Sequence, residues 1–313
     1  MRRFVADVLC ERPMGEPPPY ELLQVGHLTP IAYRRGFARS KGDYAATLIV
    51  ADRRARVIRE VAATFIARGI ELAPIKGAAL VGSIYPDPAE RPMNDIDALV
   101  RVDQLPSAIE AILSLGFERV GFSRKLSNFY HAIVFLRGDI MFELHRNIVQ
   151  PYRTNLRIAD VWARSTIDAA TRGIRRLEPI DELLICAVHM ARHELAVPAI
   201  NYVDISRLWK RLSPSDQASA RARAEEWRVA RAFAAVLAMT ENLAHARIGS
   251  PDVGAGSSIL PTTDDILLGV KPKRARQIAQ KLLLAQGTRD RIGLGFVTVA
   301  AIVDGWWRAR SSV

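Results

Sequence analysis

The sequence predicts an α+β protein, with a small mixed β-sheet and flanking helices in the first half and a helical C-terminal region after it. Three observations carry this expectation. Short β-like runs alternate with helical runs between residues 44 and 150, whereas beyond Pro151 only the 3.6-residue helical period recurs. The composition, 49% apolar and 25% charged over 313 residues, is that of a folded chain with a sizeable core. The expected division is an N-terminal extension over 1–43, an α/β core over 44–150 and a helical domain over 151–313.

The elements follow in order. GEPPPYELL is a proline-rich loop, so helix begins only after it. From Tyr44 to Arg68 the apolar residues Leu48, Val57, Ile58, Val61, Phe65 and Ile66 recur at steps of three and four, an amphipathic helix stopped by Gly69. ELAPIKG reads as a strand running into a glycine turn, AALVGSIY as a short helix and PDPAERP as a loop fixed by its prolines. DIDALVRV is a strand, and LPSAIEAILSLG a helix stopped by Gly116. FERVGF, HAIVFLRG and IMFELHRNI are three further β-like runs, with Gly138-Asp139 marking a hairpin between the last two. PIDELLICAVHMARHEL, YVDISRLWKRL and the long run from Ser215 to Ala244 are helical, with Asp181 near the first helix start. GSPDVGAGSSILPTT reads as a linker. DDILLGV, KRARQIAQKLLLAQG and the apolar IGLGFVTVAAIVDGWW read as helices, the last a core helix, with a membrane-surface or docking helix as the alternative.

The net charge of +11, mostly arginine, favours polyanionic partners such as nucleotides or nucleic acid, although a GC-rich bacterial genome gives the same bias. Two cysteines without a CxxC offer neither a disulfide framework nor a thiolate metal site and fit a reducing cytoplasm. Acidic residues interrupt the N-terminal apolar patch, so a signal peptide is not expected. No run reaches the ~18 uncharged apolar residues that span a bilayer, IGLGFVTVAAIVDGWW with its Asp304 being the nearest, so no transmembrane segment is expected either.

RPMNDIDALV contains the chemistry. Side chains two apart on a strand share a face, so Asp95 and Asp97 lie together, with Ile96, Ala98 and Val100 opposite and Leu99 extending the aspartate side into the core. An Asx turn would explain Asp95 but not Asp97. Two adjacent carboxylates repel unless a cation lies between them, and Mg²⁺ takes carboxylate oxygens together with phosphates. Glu143, a lone acid inside an apolar strand, is the candidate third ligand and proton acceptor; its bland alternative is an exposed position on an edge strand or a salt bridge with Arg137 or Arg146. Upstream, Gly77 follows a strand directly and precedes a short helix, a turn that can present backbone N–H groups to a phosphate, with Lys76 and Arg91 as counter-charges. His145 faces the side of Glu143. His189 and His193 stand four apart on a helix, but no HExxH pattern or third ligand accompanies them, which leaves pocket lining or plain helix packing. Asp204 reads as a structural hydrogen-bonding residue.

LAPIKGAALVGSIYPDPAERPMNDIDALV resembles the core of the DNA polymerase β-like nucleotidyltransferase superfamily. It most resembles the bacterial uncharacterised nucleotidyltransferases with a KG-x-A-L, Y-P, R-P-x-x-D-I-D-L-L-V signature. FELHRNI and the helices around LLICAVHM and INYVDISRLW extend the likeness to residues 45–212. The resemblance implies a nucleotidyltransferase core with Asp95, Asp97 and Glu143 as ligands of two Mg²⁺ ions, Mn²⁺ being the alternative. It further implies Gly77 and Ala78 at the turn, and transfer of a nucleoside monophosphate from an NTP, with ATP as the first choice, to an acceptor hydroxyl. The turn departs from the usual Gly-Ser or Gly-Gly. The acceptor (peptide, RNA or small molecule) and the oligomeric state are not legible. Two other readings stand beside it: phosphoryl transfer on the same fold, and a non-catalytic module binding nucleic acid with a steep salt dependence.

Overall fold

A computed structural model describes residues 1–13, 18–120, 131–149, 154–168, 173–245, 259–288 and 291–292. It is α+β, as expected. Five strands form one mixed sheet: β1 (Leu72–Pro74), β2 (Ile96–Val100), β3 (Glu118–Val120), β4 (Ala132–Arg137) and β5 (Ile140–His145), in the order β1-β2-β5-β4-β3. β2 and β5 are parallel and every other pairing is antiparallel. The Gly138-Asp139 hairpin joins β4 to β5, with Gly138 at φ +60°, a backbone conformation that glycine adopts without strain.

The two faces of the sheet meet different partners. Ile96, Ala98 and Val100 of β2, with Phe142 and Leu144 of β5, pack against Val57, Val61 and Phe65 of α4 (Lys41–Ala67) and against Ala108, Ala111 and Ile112 of α6 (Leu105–Ser114). Leu99 points the other way and joins Ala73 and Ile75 in a second apolar cluster shared with the C-terminal helices. The alternation therefore falls as the period-two pattern requires, and Asp97 lies on the side of Leu99. Between β1 and β2 comes α5 (Gly77–Leu80), then the prolyl loop.

α7 (Ile158–Arg164) and a two-stranded ribbon, β6 (Thr166–Ile167) with β7 (Arg175–Arg176), lead into α8 (Pro179–Arg192) and α9 (Ala199–Arg211). α10 (Pro214–Glu226) and α11 (Ala230–Ala244) follow. The single helical run read from Ser215 to Ala244 is thus two helices. The break is at Arg228, which adopts φ +59° with no glycine or proline to announce it. α12 (Thr263–Leu267) and α13 (Arg274–Leu284) complete the described helices. Ahead of the sheet, α1 (Arg2–Leu9), α2 (Tyr20–Val25) and α3 (Thr29–Arg34) send Phe4, Leu23 and Ile31 into the core cluster that holds α8, α9 and α11. Most of the linker around 249–258 and of the apolar run 292–307 lies outside the described residues. No described helix is long and apolar enough to cross a membrane.

Candidate active site

Register brings the acids together. Asp97 on β2 stands directly opposite Glu143 on the parallel β5, and Leu99 opposite His145, so Asp97, Glu143 and His145 share one face. Asp95 sits immediately before β2, on the aspartate side. Asp97 and His145 are buried, whereas Glu143 retains 22% of its side-chain exposure.

This cluster is knit by charge. Lys76 Nζ donates to Asp97 Oδ1 at 2.6 Å, and His145 Nε2 lies 2.7 Å from the same oxygen and 3.3 Å from Glu143 Oε2. Burial alone would raise the Asp97 carboxyl, but the Lys76 ammonium and the His145 contact outweigh it and hold it well below the usual carboxylate range. At Asp95 the pull of Lys76 and His145 is the weaker effect. Burial, then the neighbouring Asp97 and Glu143 charges, push its pKa up to about 6. A site in which one carboxylate is held ionised by a neighbouring ammonium while the next resists ionisation is short of positive charge.

Lys76 reaches Asp97 because of its backbone. It takes φ +53° and ψ −137°, a conformation costly for a residue with a Cβ, and Ile75 N–H donates to Asp97 O at 3.0 Å, which ties the turn to β2. Gly77 follows, and here glycine is a packing requirement: a Cβ would come 2.9 Å from Met93 Cγ. Ala78 is half-buried at the second position of α5.

Asp95 and Asp97 open into a cleft of about 580 Å³, within the ordinary range of small-molecule sites. Lys76, Gly77, Met93, Asp95 and Asp97 line its sheet side. His189 and Met190 of α8, His193 at its C-terminal cap and Asn201 of α9 line the helical side, with Gln277 of α13 at the edge. His189 and His193 therefore reach the same cleft as the aspartates. Their ring centroids are 4.7 Å apart, and burial holds His189 well below its ordinary pKa, so it is a neutral imidazole there. Among the described residues they join no cluster with metal-ligand spacing; Asp97, Glu143 and His145 do, with ligand atoms within 4.8 Å of one another.

Arg91 behaves differently from its expectation as a triphosphate counter-charge. It lines the cleft, but its guanidinium is buried and closed on Asp204 of α9, with Nε 2.9 Å from Oδ1 and Nη2 2.7 Å from Oδ2. Tyr85 Oη donates to the same carboxylate at 2.6 Å. Burial works against the Arg91 charge and Asp204 more than restores it. The charge is spent on holding the loop before β2 against the helical half. Of the salt-bridge partners considered for Glu143, Arg137 is taken by Glu60 at 2.6 Å. Sequence reasoning passed over His27, Glu194 and Gln277 in the cleft wall, and Arg54, whose half-buried guanidinium donates to Asn94 O at 3.0 Å beside Asp95. The one legible signal was Arg54 itself, on the α4 stripe facing the acid loop.

The model of a family described as uncharacterised nucleotidyltransferase matches residues 29–245. Among solved structures, the solution structure of the antibiotic-resistance factor ANT(2'')-Ia is similar at 13% identity and a TM-score of 0.41, over 56% of this chain and 92% of that one. No curated protein matches the chain.

Proposed function

Because the chain belongs to the uncharacterised nucleotidyltransferase family, we propose that it transfers a nucleoside monophosphate from an NTP, ATP first, to an acceptor hydroxyl and releases pyrophosphate. The observation that carries this reading is the register of β2 against β5, which sets Asp97 of the cleft wall opposite Glu143, with Asp95 beside them. The donor chemistry fits divalent cations: carboxylates converge, and one of them has its pKa raised by the others. Asp95, Asp97 and Glu143 would hold Mg²⁺ or Mn²⁺. Bound there, the ions supply charge neutralisation at the α-phosphate and at the departing pyrophosphate.

The chain's own groups do the rest. Lys76, on its strained turn, is placed to pass from Asp97 to a phosphate once another cation takes up the carboxylate. Gly77 keeps that wall clear of a side chain. Glu143, the less buried of the opposed acids, accepts the proton of the attacking hydroxyl. The helical wall with His189 and His193 receives the nucleoside or the acceptor. The test is product analysis with α- and γ-labelled ATP, Mg²⁺ or Mn²⁺, and a panel of peptide, RNA and small-molecule hydroxyls. Transfer of the α label that is lost in Asp95→Asn and Asp97→Asn supports the reading; transfer of the γ label replaces it with phosphoryl transfer.

A further inference from the structure

α8 lines a cavity on each of two faces. Cys186, His189 and Met190 stand on its cleft side, whereas Val188, Ala191 and Arg192 share the opposite one, as residues three and four apart on a helix do. Behind that second face is a smaller cavity of about 50 Å³, bounded by the start of α11 and the end of α13. A buried water takes about 10–15 Å³, so the cavity has room for roughly four, the oxygen count of a phosphate.

Its walls are cationic. Arg192, Arg228 and Lys281 line it, and among the described residues no acid does. Lys281 bonds Glu194 at 3.0 Å, which leaves further N–H donors on the ammonium. Arg192 is bonded to the His131 ring and forms no ion pair among the described residues. Glu143, Asp97 and Glu194 favour its charge only from a distance, while burial disfavours it. A guanidinium drawn out of water without a carboxylate is costly unless another anion reaches it.

The surrounding backbone is fastened in place. Arg228 takes φ +59° at the break between α10 and α11, a conformation costly for a residue with a Cβ. Its Nη2 donates to Gln286 O at 2.8 Å, and Gln286 Oε1 accepts from Ala230 N–H at 2.8 Å. These bonds tie the chain after α13 to the first turn of α11. Val229 and Ala232, at the positive end of that 15-residue helix, therefore line the cavity beside the three cations.

We infer that this cavity binds a single phosphate group, held by Arg192, Arg228 and Lys281 at the start of α11 and separated by α8 from the cleft that holds the aspartates. A tetrahedral dianion accepts from several N–H donors at once, as convergent guanidinium and ammonium groups require. A whole nucleotide does not fit, because the volume lies far below the roughly 300 Å³ at which small-molecule sites begin. The site needs neither a metal ion nor nucleotidyl transfer.

The test is calorimetric titration of the full chain with inorganic phosphate, in chelator and without nucleotide. Wild-type protein should bind it with a dissociation constant below about 1 mM. Lys281→Gln should weaken binding by about tenfold or more, since it removes a charged hydrogen bond. Ala232→Leu, which puts a larger side chain into the cavity and none into the cleft, should abolish binding. Where the leucine does not fold, Arg192→Gln replaces it, with the same tenfold loss expected. Wild-type protein that binds no phosphate, or either variant binding it with wild-type affinity, overturns the site. Glycerol 1-phosphate titrated in parallel separates the sources of the group. Equal affinities assign the cavity to the terminal phosphate of a larger molecule, and an ester weaker by about tenfold or more assigns it to the free anion.

Discussion

Asp204→Asn is the sharpest perturbation of the frame around the cleft. Asp204 accepts three contacts from Arg91, at 2.9, 3.0 and 2.7 Å, and one from the Tyr85 hydroxyl at 2.6 Å. The two ionic side chains are 9% and 4% exposed, so water cannot take over when the carboxylate is lost. Breaking a buried pair from one side leaves an uncompensated charge, at a cost of roughly 3–5 kcal/mol. At about 2–4 °C per kcal/mol for a chain of this size class, the melting temperature should fall by roughly 6–20 °C. Thermal and urea unfolding without nucleotide measure this directly. Arg91→Met combined with Asp204→Leu removes both charges and should recover most of the loss, because a buried pair is close to neutral against apolar residues of similar volume. ATP binding to that double variant, followed by calorimetry, should be unchanged. An Asp204→Asn protein that melts like wild type would refute the structural role of the pair. A stable double variant that no longer binds ATP would return Arg91 to the triphosphate.

Three further outcomes follow from the site's charges and packing. Asp95 holds its proton up to about pH 6 in the fold, against about 3.9 in an unfolded chain, so its protonated form stabilises the fold below about pH 4 and that contribution is lost as pH rises through 6. Asp95→Asn should therefore melt higher than wild type at pH 8 in chelator, by at most about 3 kcal/mol, and show no advantage at pH 4. Asp97→Asn should do the reverse at neutral pH, losing on the order of 3 kcal/mol in urea unfolding because Lys76 and His145 lose their buried anion. Gly77→Ala drives Met93 off its present position; the flexible thioether yields, so the melting temperature should hold while ATP affinity drops, and intact affinity would show that the turn does not touch nucleotide.

The parts of the fold written in local periodicity were legible. β5 alternates between buried and half-buried positions over its first five residues, the hairpin at Gly138 announces itself, and α4 stops just before Gly69, which adopts φ +67°. The acids stood out because a carboxylate inside an apolar strand has few cheap explanations. What stayed hidden depends on distance in the chain. Arg91 and Asp204 are 113 positions apart, and nothing near Arg91 distinguishes a charge turned toward substrate from one turned toward a buried partner. The chain break at Arg228 lacks glycine and proline, so tertiary packing alone overrides the helical period there. The N-terminal apolar patch gave no hint that Phe4, Val5 and Val8 belong to the core of the C-terminal helices. His145 was visible only as sharing a face with Glu143; its 2.7 Å contact with Asp97 depends on the pairing of β2 with β5.

The strained turn at Lys76 ties these observations into one argument. A non-glycine residue at φ +53° costs free energy that relaxed alternatives would avoid, so something must recover it. Two contacts do: the Ile75 N–H bond to Asp97 O, and the Lys76 ammonium on Asp97 Oδ1. The second contact supplies the buried carboxylate with a cation that is part of the chain, so β2 and β5 can pair before any ion arrives. The arrangement is also one that an ion or a phosphate can rearrange, because Lys76 is anchored through a single ammonium while Asp97 is fixed in the sheet. Arg91 has no such freedom, since its fork is committed to Asp204 at both oxygens. Lys76 thus has a freedom in the cleft wall that Arg91 lacks, a distinction set by the number of bonds and not by charge.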